Sequence, residues 1–248
     1  MLKNIKSIIR KLLALTPYQL MRVYTPSTFN AVHLAIAYFL CREPMGTILQ
    51  IGAFDGVSND PVSDFIRQGK MRAILVEPVE SNFQKLKKAY QGIDRVSFVQ
   101  AAITHEDGNV TMYRVKEIGR WQNDKWVGQI ASFDRDHLLK FGVRHDEVEE
   151  VTVTAISLSS LLNRFNLQSV GFLQVDTEGF DAEVVSMSLK LPVPPSFINF
   201  EHSHLNTKKA VCLVRELEHI GYSWIHSSYD TLAIHKRITE KWKGNNEF

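Results

Sequence analysis

Two patterns of apolar and polar positions alternate along this chain. Short unbroken apolar runs, several of them ending in a glycine or an acid, mark buried strands. Between them, apolar residues recur at helical spacing and mark amphipathic helices. The first clear run is Ile48-Leu49-Gln50-Ile51, which stops at Gly52-Ala53-Phe54-Asp55-Gly56. Two glycines in a turn after a buried strand allow main chain to approach a ligand without an intervening Cβ. An ordinary strand-to-helix turn would read the same way. Val57 to Gly69 follows as a turn and a helix with Val62, Phe65 and Ile66 inward. The strand Ala73-Ile74-Leu75-Val76 then ends in Glu77-Pro78. Next come a helix from Ser81, as its cap, to Tyr90 and a third strand over Val96 to Ala102. The turn at Glu106 to Asn109 leads into Val110 to Val115.

Further along, Val148 to Ile156 alternates as a strand. Gly171 to Val175 is a strand that delivers Asp176-Thr177-Glu178-Gly179 and a helix over Asp181 to Lys190. Ser196 to Phe200 is another, ending in Glu201-His202-Ser203-His204. A helix over Lys208 to Ile220 and two strands, Tyr222 to His226 and Thr231 to His235, complete the pattern. Strand–helix alternation with right-handed crossovers predicts an α/β doubly wound Rossmann-like sheet, mostly parallel, with an antiparallel C-terminal strand. Ligands of such sheets bind at the carboxyl ends of the strands. Gly52, Glu77, Asp176, Glu178, Glu201, His202 and His204 all fall at those ends. Glu77 stands about twenty residues past the glycines, where an acid accepts both ribose hydroxyls of a nucleotide. A solvated strand end is the plainer reading.

The N-terminal part follows a different pattern. Leu2, Ile5, Ile8, Ile9, Leu12, Leu13 and Leu15 recur at helical spacing, with Lys3, Lys6, Arg10 and Lys11 mostly on another side. A basic amphipathic helix over residues 1–24 either lies on an anionic membrane surface or caps its own domain. No small-residue cleavage site follows, so a secretory signal is not expected. Ser27 or Thr28 caps a second helix that runs through Leu40. Residues 1–45 thus read as a helical extension and 46–248 as the main domain. Residues 116–150, polar and aromatic with little periodicity, read as a lid over the acceptor site. In it Trp121 and Trp126 either stack on a sugar or pack the lid down, and Arg120 or Lys125 would meet a phosphate. Asp134 to Phe141 reads as a short helix.

Composition narrows the function classes. A net charge of +2, from 29 Lys and Arg against 27 Asp and Glu, gives no basic concentration for nucleic acid. Cys41 and Cys212 lack ligand spacing and suit reduced thiols in a cytoplasmic protein. Ala31 to Cys41, interrupted by His33, is well short of the roughly 20 residues that span a bilayer.

The chain resembles the FkbM family of S-adenosylmethionine (SAM)-dependent methyltransferases. The likeness is carried by Ile48 to Pro61, Ile74 to Pro78 with Asn82-Phe83, Val99 to Ile103, and Phe172 to Gly179, and it covers about residues 46 to 235. Gln50 and Ser159 stand where many relatives carry Asp; Ser159 is assigned as a helix cap. The resemblance implies a cofactor site with Gly52, Ala53 and Gly56 under the methionine part, Asp55 near its ammonium, and Gln50 among the binding residues. Glu77 and Pro78 would hold the ribose, Ala101, Ala102 and Ile103 the adenine, and Asp176 would lie near the methyl group. It also implies a hydroxyl acceptor on a sugar, glycan or glycosylated metabolite, as in polysaccharide biosynthesis. An alcohol must lose its proton, and Asp176, Glu178, His202 and His204 are the candidate groups, an imidazole being favoured. The alternative is a Mg²⁺ or Mn²⁺ ion held by Asp176, Glu201 and His202. An N-methyltransferase and a non-catalytic SAM-binding module remain as rivals. A nicotinamide enzyme is disfavoured by the lack of G-x-G-x-x-G. Oligomeric state is not legible.

Overall fold

The computed structural model describes Ile36 and residues 46–244, apart from 69–70, 117–118, 122–126 and 228. The expected helices over residues 1–24 and 27–40, Cys41, Lys125 and Trp126 lie outside the described residues. Eleven strands are described: β1 Thr47–Ile51, β2 Arg72–Val76, β3 Val96–Val99, β4 Ala102–Thr104, β5 Gly108–Val115, β6 Ala131–Ser132, β7 Val148–Ser157, β8 Phe172–Val175, β9 Phe197–Glu201, β10 Tyr222–His226 and β11 Asp230–His235. The α-helices are α1 Ser63–Gln68, α2 Glu80–Ala89, α3 Arg135–Leu139, α4 Leu158–Arg164, α5 Asp181–Leu189, α6 Thr207–Ile220 and α7 Lys236–Gly244. Among the described residues no helix is long and apolar enough to cross a membrane.

The main sheet has seven strands in the order β10-β11-β9-β8-β1-β2-β3. It is parallel from β3 to β9, and β11 runs antiparallel to both β9 and β10. This is the expected doubly wound, Rossmann-like sheet, mostly parallel with antiparallel strands at its C-terminal edge. Successive side chains of a strand point to opposite faces, so a sheet covered on both sides needs apolar residues at every position. The central strands meet that demand. Leu49, Ile51, Ile74, Val76, Leu173 and Val175 pack on one face with α4, α5 and α6. Ile48, Ala73, Leu75, Phe172 and Phe197 pack on the other with Ile66 of α1, Phe83 and Leu86 of α2 and Ile238 of α7. Three polar residues interrupt this pattern in register across β1, β8 and β9: Gln50, Gln174 and Asn199. All three are buried, and Asn199 Nδ2 donates to Gln174 Oε1 at 2.9 Å.

A second sheet of four strands, β4-β7-β5-β6, was not expected as a separate unit. The predicted third strand breaks after Val99: β3 stays in the main sheet, while β4 leaves it to pair parallel with β7. The run Val96 to Ile103 is interrupted only by Ser97 and Gln100 and carries no glycine or proline, so the pairing partner decides where one strand ends. Caps differ from expectation too. The residue before α2 is Val79, without a side-chain cap, so Ser81 lies inside the helix. Ser157, not Ser159, caps α4 by accepting from the Ser160 amide. Asn206 caps α6, and Gly221 in a left-handed conformation terminates it.

Candidate active site

The carboxyl ends of β1, β2, β8 and β9 build the site. At the end of β1 the Gly52 and Ala53 amides both donate to Val76 O, at 3.0 Å each, which pins the turn to β2. Gly52 has φ +80°, and a Cβ there would fall 1.6 Å from the Asp176 carbonyl oxygen. Glycine is therefore dictated by the closeness of two strand ends. At Gly56 (φ +69°) a Cβ would meet Leu86 and Tyr90 side chains within 2.6 Å. That glycine serves the packing of the loop on α2, a role different from the expected place under the cofactor.

Glu77, at the end of β2, is 5% exposed. Its Oε2 accepts from the Phe54 amide at 3.0 Å and Oε1 from Val79 at 2.9 Å. Burial raises its pKa to about 7 against the bonds from Val79 and Phe54. A carboxylate has about four acceptor positions; the Phe54 and Val79 amides and the Asn82 side chain take three, so one remains. Pro78 is half-buried beside it. Asp55 is placed otherwise than expected. Its Oδ1 accepts from Val57 and Ser58 amides at 2.9 and 2.8 Å, and Oδ2 from Ser58 Oγ. Burial would raise this carboxyl, but the bonds from Ser58 and Val57 prevail and hold it low. It closes its own loop. Asp60 accepts from the Val62 and Ser63 amides and so caps α1. Burial pushes its pKa up, opposed by the Gln50 amide and those two donors. Gln50 thus acts beneath the loop.

Ala101, Ala102 and Ile103 are all buried. Ala101 and Ile103 belong to the main core, while Ala102 packs with Met112 and Val153 on the other side. Strand alternation divides them between two apolar clusters, so they do not form the single wall expected of an adenine site.

Asp176 follows β8, and its amide donates to Ile51 O at 2.9 Å. Its side chain is exposed to solvent yet closely ringed by protein atoms. That enclosure, with the carboxylates of Glu178, Asp181, Glu201 and Asp230, raises its pKa well above the ordinary value. Glu178 has φ +52° and Gly179 φ +108°. Asp181 holds this turn by accepting from the Thr177 amide and hydroxyl and from the Gly179 amide, at 3.1–3.2 Å. Asp181 is 1% exposed, and burial raises its pKa to about 6. Ser132 Oγ donates to the Glu178 carbonyl at 2.7 Å.

Around Glu178 stand two imidazoles. His137 Nε2 lies 3.0 Å from Glu178 Oε2, and His204 Nε2 lies 3.6 Å from the same oxygen. His204 Nε2 is also 3.3 Å from Glu201 Oε1. That bond raises the His204 pKa against the effect of burial. Glu201 is depressed in turn: burial is overcome by bonds from His204 and Ser203. Candidate ligand atoms of His137, Glu178 and His204 lie within 4.8 Å of one another, the one such group among the described residues. The expected trio of Asp176, Glu201 and His202 does not converge. His202 bonds through Nδ1 to Thr231 Oγ1 at 2.9 Å, and its ring stands 5.5 Å from that of His226. The chain turns at His202, where Leu205 N donates to His202 O, so His202 and His204 do not share the side expected of an extended segment.

His137 was not singled out in the sequence. It sits on α3, inside the segment expected to be a lid, and the only signal was a histidine on a short amphipathic helix. The same segment folds on its own small core of Val115, Trp121, Val127, Ile130, Leu138, Val143 and Val148. Trp121 is therefore a packing residue. Arg120 pairs with Glu147 at 2.6 Å and donates to Gly142 O, which holds it away from the expected phosphate.

The Methyltransferase FkbM domain matches residues 50–233. No curated protein matches the chain. Among solved structures, the methyltransferase FkbM from Methylobacillus flagellatus KT aligns at 14% identity and a TM-score of 0.47, covering 76% of this chain and 43% of that one. The METTL16 methyltransferase domain aligns at 12% identity and TM-score 0.46, covering 83% and 66%. A precorrin-6y C5,15-methyltransferase from Geobacter metallireducens GS-15 aligns at 10% and 0.43, covering 86% and 93%. This chain thus spans about two thirds of the METTL16 domain and less than half of the Methylobacillus enzyme. The domain match extends from within β1 to within β11 and takes in the glycine turn, Glu77, the Asp176–Gly179 turn and Glu201, and on it the chain belongs to the FkbM methyltransferase family.

Proposed function

We propose that this protein is a SAM-dependent O-methyltransferase that acts on a hydroxyl of a sugar, glycan or glycosylated metabolite. The observation that carries this reading is the contact of two strand ends: Gly52 lies directly against the Asp176 backbone. In a class I sheet, that junction is where the sulfonium of SAM would meet an acceptor. Glu77, with one acceptor position left, would take a ribose hydroxyl. The acceptor oxygen attacks the methyl carbon from behind, the C–S bond breaks with its electron pair going to sulfur, and the hydroxyl proton goes to a base. Alignment alone contributes about 7–11 kcal/mol to such a transfer. Asp176, exposed and with its backbone against Gly52, is the residue we assign to take the proton.

The test is transfer of labelled methyl from SAM to a panel of sugars, glycosides and amines by the purified chain. Methylated hydroxyls support the proposal. Asp176→Asn should then lose about 10²–10⁴-fold in turnover while SAM still binds. Methylation of amines alone would make it an N-methyltransferase, and SAM binding with no transfer a binding module; either result overturns the reading.

A further inference from the structure

We infer that His137, Glu178 and His204 form a binding site for one divalent transition-metal ion. The donors come from three separate segments: α3, the turn after β8 and the turn after β9. Both imidazole Nε2 atoms address a single oxygen, Glu178 Oε2, at 3.0 and 3.6 Å. At 3.6 Å the second contact is too long for a hydrogen bond. The first is a hydrogen bond, which a bound ion would replace. Metal–ligand bonds of ~2.0–2.2 Å place tetrahedral donors roughly 3.3–3.6 Å apart. The two rings stand nearly perpendicular, at 86°, with centroids 4.6 Å apart, so they pack edge to face and do not stack.

The support around the donors is that of a built site. Glu178 is held in a left-handed conformation, φ +52°, while Ser132 Oγ bonds its carbonyl. Glu201 Oε1 stands 3.3 Å from the same His204 Nε2 and adds a second carboxylate beside the cluster. The His137 side chain is 4% exposed, against 18% and 20% for Glu178 and His204, so the site is closed on the α3 side and open on the other. Two imidazoles and one carboxylate favour Zn²⁺, Mn²⁺ or Fe²⁺ over Mg²⁺, which prefers oxygen donors. Three protein ligands leave at least one coordination position for an oxygen. On the methyltransferase reading, and only there, that oxygen is a hydroxyl of the acceptor.

Titration of the full-length, chelator-stripped protein with Co²⁺ in the absence of SAM tests the site through the visible d–d absorption band. One equivalent should bind and be displaced by Zn²⁺. His137→Ala and His204→Ala should each weaken binding by at least about tenfold, and the exposed His145→Ala should leave it unchanged. Should either alanine variant fail to fold, Glu178→Gln, which keeps the side-chain shape, carries the same expectation. An absent band, or affinity equal in wild type and the ligand variants, overturns the proposal. If Co²⁺ binds as expected and no methyl transfer is found, the metal site stands and the acceptor reading falls.

Discussion

Gly52 shows how one residue can be demanded by two different parts of the chain. Its place after an apolar run was legible, but the reason for glycine was not, because Asp176 arrives from 124 residues later in the sequence. Gly52→Ala would add overpacking of about 1–3 kcal/mol to backbone strain of a similar size. The expected result is a protein destabilised by about 2–6 kcal/mol in urea unfolding and unable to bind SAM by calorimetry. Glu77 makes a prediction of another kind. Its folded pKa, about 7, is raised above the ordinary 4.5, so the folded state binds more protons than the unfolded between those values. The stability it contributes is present below pH 4.5 and is lost as pH rises towards 7, by about 3 kcal/mol in all. Glu77→Gln should flatten the fall of unfolding free energy between pH 4.5 and 7, measured by denaturant titration at several pH values. On the proposed function the same change should weaken SAM binding about tenfold or more, since a neutral amide oxygen is a poorer acceptor for a ribose hydroxyl than a carboxylate.

Among the elements, the helices were more legible than their ends. Ser157 and Ser159 are two residues apart, and either fits a cap by type. The structure assigns the role to Ser157, whose oxygen accepts from the Ser160 amide. Ser157→Ala should therefore cost about 1 kcal/mol and Ser159→Ala less than about 0.5, as compared by thermal unfolding. For strands, burial on both faces erases the period-two pattern. Leu49 and Ile48 lie in different cores, and neither could be assigned to a face from the run alone. Leu49→Ala would leave a cavity and cost about 2–5 kcal/mol. The break between β3 and β4 was hidden for the same reason. An apolar run is equally content in either sheet, and hydrogen bonds to β7 choose.

At the level of the molecule, the main sheet collects residues separated by most of the chain onto one edge. A cofactor that binds the folded form there stabilises it by about 2.7 kcal/mol at 100 times its dissociation constant. For a chain of this size that is a rise of about 5–11 °C in melting temperature. SAM and its demethylated product should produce it in a thermal-shift assay and NAD should not. The inserted segment is tied to the same edge by His137 and Ser132 on Glu178 and by Asn82 Nδ2 on Gly128 O at 2.9 Å. It therefore reports on the site as well as covering part of it.

The order of apolar runs, their termination in Gly52, Glu77, Asp176 and Glu201, and the helical spacing between them were enough to specify a doubly wound sheet with its ligand edge. Those features are local, and strand period, turn chemistry and crossover handedness act over short distances. Folding in space was needed to gather His137, Glu178 and His204 in place of the expected Asp176, Glu201 and His202, to turn Asp55 into its own loop and to divide Ala101, Ala102 and Ile103 between two cores. Each of those outcomes depends on which side chain arrives from a distant segment, and a residue's type carries no record of its eventual neighbour.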